Sequence, residues 1–240
     1  MRADHEVVAV SQRPGAATAP ASVVALIRAL PQQPVSRQFG FDRGRCIDRY
    51  YIERFLECHE SDIQGRVLEV AENTYTRRFG GDRVTQSDVL HAAPGNRRAT
   101  IVGDLTDPRT LPEAGLDCVI LTQTLQHVYD VRAAIGTLHR ALRPGGVVLA
   151  TVPGISQISR YDMDRWGDFW RFTTLSLQRL FAEAFGAANV AVEAHGNVAA
   201  ATAFLHGLAV EDVGAEVLTA PDPDYQLLLT VRACKAPRPD

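Results

Sequence analysis

LDCVILTQTLQHVYDVRAAIGTLHRALRPGGVVLATVP, residues 116–153, holds a complete strand–helix–strand unit. Cys118 to Leu121 form an unbroken apolar run of strand length, as expected of a strand buried on both faces. Val131, Ile135, Leu138 and Leu142 then recur at helical spacing. Pro144-Gly145-Gly146 stops that helix before GVVLATVP, a second apolar strand. Two parallel strands joined by a helical crossover are implied.

Outward from this unit the same alternation continues. Upstream, RVLEVA (66–71), RVTQSDV (83–89) and ATIVGDL (99–105) read as strands, giving five candidates spaced as in an α/β chain built on a parallel sheet. ENTYTRRFGGD after the first and LHAAPGNRR after the second barely reach the dozen or so residues that a parallel crossover needs. Neither holds a full helix, so the first crossovers are shortened. Before them, CIDRYYIERFLECH places Ile47, Tyr50, Tyr51, Phe55 and Cys58 on one side of a helix. Asp48, Arg49, Glu53 and Arg54 fall mostly on the other, which predicts an amphipathic helix packed on the sheet. Downstream, GISQISRYDMDRWGDFWRFT fits neither period and reads as a long loop over the sheet edge, followed by an amphipathic helix in TLSLQRLFAEAF. NVAVEAH and DYQLLLTVRACK are strands on either side of a helix in NVAAATAFLHGLA, the last strand returning antiparallel as an edge pair.

A chain of 240 residues, 46% hydrophobic and 22% charged, suits one sizeable core. Residues 1–33, with PGAATAP at their centre, read as a mobile arm, and residues 34–240 as a single domain. The formal charge of -3, with acids and bases interleaved, provides no basic field for nucleic acid or an acidic membrane. The stretch ASVVALIRAL is interrupted by Arg28 and too short to span a bilayer, so a soluble cytoplasmic protein is expected. Cys46, Cys58, Cys118 and Cys234 form no C-x-x-C pair and read as reduced structural thiols. His59, His91, His139, His195 and His206 show no metal-ligand spacing, and no metal is expected. The absence of a G-x-S-x-G elbow and of a Walker-type loop argues against a serine hydrolase or an ATPase.

GDLTD, LDCVILTQTLQHVYDV and LHRALRPGGVVLATVP, in that order, resemble class I S-adenosylmethionine-dependent methyltransferases of the small-molecule branch. The resemblance implies a Rossmann-like sheet, mostly parallel with an antiparallel edge strand, and S-adenosylmethionine as cofactor. FDRGRCIDRYYIERFL, NTYTRRFGGDRV and RWGDFWRFT are similar to a bacterial subgroup associated with sugar-modifying or glycosyltransferase functions. In the family the first strand's acid and glycine loop serve the cofactor's amino-acid end, an acid ending the second strand the ribose, and a third-strand acid the adenine. Carried over, these are Glu69, Asp88 and Asp104. The glycine positions themselves hold Ala71, Asn73 and Tyr75. Asn73 is expected to hydrogen-bond the cofactor by its side chain, and Gln123 to line it. ENTYTRRFGG is expected to form a compact non-helical or single-turn loop over the first strand's carboxyl end, facing a ligand cleft.

His127 lies at the carboxyl end of the sheet, where open α/β sheets bind ligands, and is a candidate proton acceptor or a brace for the loop. Aromatics interleaved with charges make Tyr161, Trp166, Asp168 and Arg171 candidates for an acceptor wall, and Arg43 a candidate contact from an N-terminal lid. The function expected is methyl transfer to a hydroxyl or amine of a sugar-containing or secondary metabolite. Two alternatives stay open: a cofactor-less scaffold domain serving a glycosyltransferase, and the same fold repurposed for elimination or cyclisation. The expected partners are a small-molecule or saccharide acceptor and, on the protein side, a second copy or a glycosyltransferase.

Overall fold

The computed structural model describes residues 20–237. Among the described residues, 20–34 and 35–237 belong to two separate compact units. In the first, helix α1 (Ala21–Ala29) buries none of its residues. The rest of the expected arm, residues 1–19, lies outside the described residues.

The second unit is built on seven strands: β1 (Gly65–Val70), β2 (Val84–His91), β3 (Ile101–Val102), β4 (Leu116–Thr122), β5 (Leu142–Pro153), β6 (Val190–His195) and β7 (Leu228–Cys234), in the order β3-β2-β1-β4-β5-β7-β6. All neighbours pair in parallel except β7, which runs antiparallel between β5 and β6. The helices are α2 (Ile47–Cys58), α3 (Val131–Ala141), α4 (Arg160–Met163), α5 (Thr174–Phe185), α6 (Val198–Leu205), α7 (Val210–Val213) and α8 (Ala215–Thr219).

The central strands alternate between two apolar layers. Leu68, Val119, Leu121, Val148 and Ala150 pack with α3 and α5, whereas Val67, Cys118, Ile120 and Leu149 pack with α2 and α6. Each fully buried aliphatic side chain here contributes roughly 1.5–3 kcal/mol relative to exposure. The Asp130 carboxylate caps α3 by accepting the Ala133 N–H at 3.0 Å. Helix α5 starts in a reciprocal box, with Thr173 Oγ1 accepting from Ser176 N at 3.2 Å and Ser176 Oγ from Thr173 N at 3.0 Å.

The last strand returns antiparallel in an edge pair as expected, β7 pairing antiparallel with β5 and with β6 at the rim. Three expectations need correction. The third strand is only Ile101–Val102, because Gly103 already turns to bond His91 and the chain leaves the sheet. The second strand continues to His91, two residues beyond the expected end. On α2, Asp48 lies inside and Cys58 outside, since Asp48 shares the inner stripe with Ile52 and Phe55.

Helix α2 and β1 are joined by a short 3-10 turn at Glu60–Asp62 and the buried Ile63. Twelve residues of helix span about 18 Å and six of strand about 20 Å, so α2 runs back along β1 with its first turn at the sheet's carboxyl edge. Among the described residues no helix is long and apolar enough to cross a membrane.

Candidate functional site

The chain steps from β1 outward to β2 and β3, then returns past β1 to β4. This reversal leaves a crevice between the loops that follow β1 and β4, the place where open α/β sheets bind ligands.

The loop after β1 keeps a glycine-type path without glycine. Ala71 has φ 70°, a left-handed conformation that costs a residue with a Cβ roughly 1–2 kcal/mol. Its N–H bonds the Leu90 carbonyl at 2.9 Å, and its carbonyl accepts from Asn96 Nδ2 at 2.7 Å. Thr76–Gly80 then form a single wide π-type turn where a crossover helix would begin. The turn hangs on Glu69, 2% exposed, whose carboxylate accepts Tyr75 N at 3.2 Å, Thr76 N at 2.8 Å and Thr76 Oγ1 at 2.7 Å. Burial pushes the Glu69 carboxyl up, and those hydrogen bonds offset only part of the rise. Both Glu69 oxygens are therefore engaged inside the loop, and its role there is positioning. Asn73 Nδ2 likewise donates to Ser87 Oγ at 3.0 Å, tying the loop to β2.

Asp88 does not end the second strand. It pairs in register with Leu68, three residues short of His91, and is 5% exposed. Its carboxylate accepts Arg66 Nε at 2.7 Å, Thr100 Oγ1 at 2.9 Å and Gln86 Nε2 at 3.2 Å, so its hydrogen bonds here are made within the protein. His91 occupies the strand end, its ring edge-on to Trp166 at 5.6 Å. Asp104 sits two residues beyond β3, exposed, with Oδ1 accepting Thr106 N at 2.8 Å.

At the end of β4, Gln123 is also left-handed, with φ 47°, and its N–H bonds the Thr151 carbonyl at 2.8 Å. Its Oε1 accepts from Gln126 Nε2 at 3.1 Å, while Gln126 Oε1 is buried with no partner. His127 Nδ1 lies 2.7 Å from the Gly167 carbonyl, which can only accept, so this nitrogen carries the hydrogen. Its Nε2 is 3.9 Å from the Asp162 carboxylate, beyond hydrogen-bond distance.

The long loop is fastened to this turn. Phe169 N donates to the Gln126 carbonyl at 2.8 Å and Trp170 Nε1 to the Val128 carbonyl at 3.1 Å. Asp168 and Arg171 brace the loop from within rather than facing a ligand. Arg171 Nη1 reaches Asp168 at 2.6 Å and Arg171 Nη2 the Gln157 carbonyl at 2.6 Å, while Asp168 also accepts Ser159 N at 2.9 Å. Burial pushes the Asp168 carboxyl up, but hydrogen bonds from Arg171 and Ser159 bring it below its ordinary range. Tyr161 is exposed beneath the Arg165 guanidinium, 3.5 Å from its ring centroid. Arg43 is committed elsewhere, donating to Asp212 at 2.9 and 2.7 Å and holding that carboxyl down at about 2. Of the residues expected at the site, Asn73, Gln123 and His127 border the crevice, with Trp166 closing over the end of β2.

Sequence reasoning missed Asp48, Gln126 and His91. Asp48 falls in step with Ile52 and Phe55, but a carboxylate in a first helical turn is ordinarily solvated, which masked that signal. Gln126 and His91 carried no periodic signal, since one follows a turn and the other ends a strand whose length only register reveals.

The methyltransferase domain family matches residues 33–197. A malonyl-[acyl-carrier protein] O-methyltransferase of Serratia marcescens is 29% identical over 147 residues, covering 57% of this chain and 55% of that protein. A probable S-adenosylmethionine-dependent methyltransferase of Mycolicibacterium smegmatis is 29% identical over 109 residues, 45% of this chain and 40% of the relative. The chain thus spans about half the length of the curated relatives it matches. Among solved structures, an S-adenosylmethionine-dependent methyltransferase from Mesorhizobium loti superposes with a TM-score of 0.51 at 16% identity, over 79% of this chain and 98% of its own. The [4+2]-cyclase SpnF superposes with a TM-score of 0.50 at 16% identity, over 81% and 85%. Likeness at that level concerns the fold alone.

Proposed function

The chain belongs to the methyltransferase domain family, and from that premise we propose that it is an S-adenosylmethionine-dependent methyltransferase acting on a hydroxyl or amine of a sugar-containing or secondary metabolite. The observation that carries this reading is Ala71. A residue with a Cβ held at φ 70° preserves the tight turn that lets a ligand approach the backbone at the β1–β4 crevice. The buried, unpartnered Oε1 of Gln126 beside that crevice fits a ligand that brings a donor.

In this reading Asn73, Gln123 and Gln126 border the body of the cofactor, His91 stands at the ribose position and Asp104 near the adenine. The cofactor supplies an electrophilic methyl group on a sulfonium, so alignment of the acceptor accounts for much of the rate. His127 serves two ends: Nδ1–H holds the long loop through Gly167, and Nε2 keeps a lone pair to take the acceptor's proton. The exposed faces of Tyr129, Tyr161, Trp166, Phe169 and Trp170 support a saccharide-bearing acceptor, because sugar CH groups stack on aromatic rings. Residues 34–240 form the single domain that does this. Calorimetric titration with S-adenosylmethionine and S-adenosylhomocysteine tests the reading: one site per chain for both ligands is expected, and no heat with either would contradict it.

One observation favours a second reading. Tyr75 fills the third glycine position with a ring packed 6.0 Å from Phe79, as a domain that had given up its cofactor would allow. Such a domain would act as a scaffold for a glycosyltransferase partner, and the same titration separates the two.

A further inference from the structure

Two opposite charges, adjacent in sequence, stand at the carboxyl edge with hydrogen-bonding capacity left open. Asp48 is 8% exposed, and its Oδ1 has no hydrogen-bond partner. Arg49 pairs with no carboxylate among the described residues. Its guanidinium donates to Tyr75 Oη at a long 3.4 Å and lies 5.8 Å from the Phe41 ring centroid. Successive residues on a helix point about 100° apart, so Asp48 turns toward the sheet while Arg49 turns toward the loop after β1. Burying an ionised carboxylate without a partner is costly, and such groups in native structures are ordinarily paired or hydrogen-bonded.

The sheet facing Asp48 is polar at the same level. Val147 and Leu149 of β5 point into the α2 layer, so by alternation Thr151 does too. Thr151 is fully buried with an unpartnered hydroxyl, in register with Thr122 at the end of β4. Thr122 and Thr151 thus place hydroxyls at the carboxyl ends of β4 and β5, Thr151 on the face that α2 covers, while Arg49 reaches Tyr75 at the third glycine position.

We infer that Asp48 and Arg49 form a clamp for an α-amino-acid zwitterion, Asp48 accepting from the ammonium and Arg49 donating to the carboxylate, and that this clamp takes the cofactor's amino-acid end in place of the glycine loop. The inference rests on the cofactor reading above. A carboxylate and a guanidinium, each with open hydrogen-bonding capacity, complement the two charges of such a group.

The test compares S-adenosylhomocysteine with 5′-methylthioadenosine, which shares the nucleoside and sulfur but lacks the amino acid. Both are titrated calorimetrically into the full chain as wild type, Asp48→Asn and Arg49→Met. Each variant should lose about tenfold or more in affinity for S-adenosylhomocysteine, the scale of one charged hydrogen bond, and hold 5′-methylthioadenosine within about twofold. Unliganded Asp48→Asn should melt at or above wild type, because it replaces a buried carboxylate that has one oxygen without a hydrogen-bond donor; a merely structural Asp48 would melt lower on substitution. Equal weakening of both ligands, or unchanged affinity for S-adenosylhomocysteine, overturns the clamp while leaving the cofactor reading intact. A wild-type chain that binds neither ligand overturns both.

Discussion

His127 is fixed by one ring nitrogen and open at the other, and that asymmetry can be tested by substitution. Asparagine places its Nδ2 close to where histidine carries Nδ1–H, so His127→Asn should keep the bond to Gly167 and lose the basic Nε2. Stability should change by less than about 0.5 kcal/mol, while methyl transfer falls roughly 10²–10⁴-fold. Unchanged turnover, measured once an acceptor is in hand, would leave His127 as a brace only. Asp88 shows the opposite case, a residue whose sequence position suggested a ligand and whose surroundings serve stability. Its side chain is 7% exposed against Arg66 at 27%, and removing one partner strands the other. Asp88→Ala should therefore lower unfolding free energy by roughly 2–4 kcal/mol in a denaturant titration. The folded fraction should bind S-adenosylhomocysteine as wild type does; weakened binding without lost stability would restore the ribose role.

Elements with strong periodicity were legible in the sequence, and those defined by register were not. Helix α5 spans Thr174–Phe185 as its stripe predicts, and β4 and α3 follow from one apolar run and one 3.6-residue stripe. The Pro-Gly-Gly stop was misplaced, because the helix already ends at Ala141 and Pro144-Gly145-Gly146 lie inside β5, where the pairing with β4 shifts register between Leu116 and Cys118. The end of β2 was hidden because Asp88 looks like a strand terminus until Leu68 and Val70 are seen opposite Asp88 and Leu90. The depth of Asp48 was hidden because a carboxylate near a helix start is ordinarily a solvated, dipole-favoured group. The long loop was legible as a loop, but its wiring was not: Asp168 and Arg171, three apart, bind each other and the backbone around them. That pairing has a pH signature. The Asp168 carboxyl titrates lower folded than unfolded, so its contribution is complete above its unfolded value near 3.9 and is lost as pH falls through the folded one. Asp168→Asn should flatten the loss of stability below about pH 4 in acid-unfolding curves; an acid limb as steep as wild type would place the titration elsewhere.

For the whole molecule, the order β3-β2-β1-β4-β5-β7-β6 places one switch point between β1 and β4, and the site follows from that topology. Both apolar layers are built from residues numbered 39 and above. A chain beginning at Pro34 should accordingly unfold in one cooperative transition with the midpoint of the full chain, and a broadened or lowered transition would assign residues 1–33 a part in the core. The central claim, that the β1–β4 crevice takes S-adenosylmethionine, is met most directly by a crystal structure of the chain with S-adenosylhomocysteine. The nucleoside should lie over the carboxyl ends of β1 and β2, near His91 and Asp104, with the sulfur beside Gln123 and the amino-acid end at Asp48 and Arg49. A crevice filled by the Tyr75 ring, with the ligand absent or bound elsewhere, would contradict it.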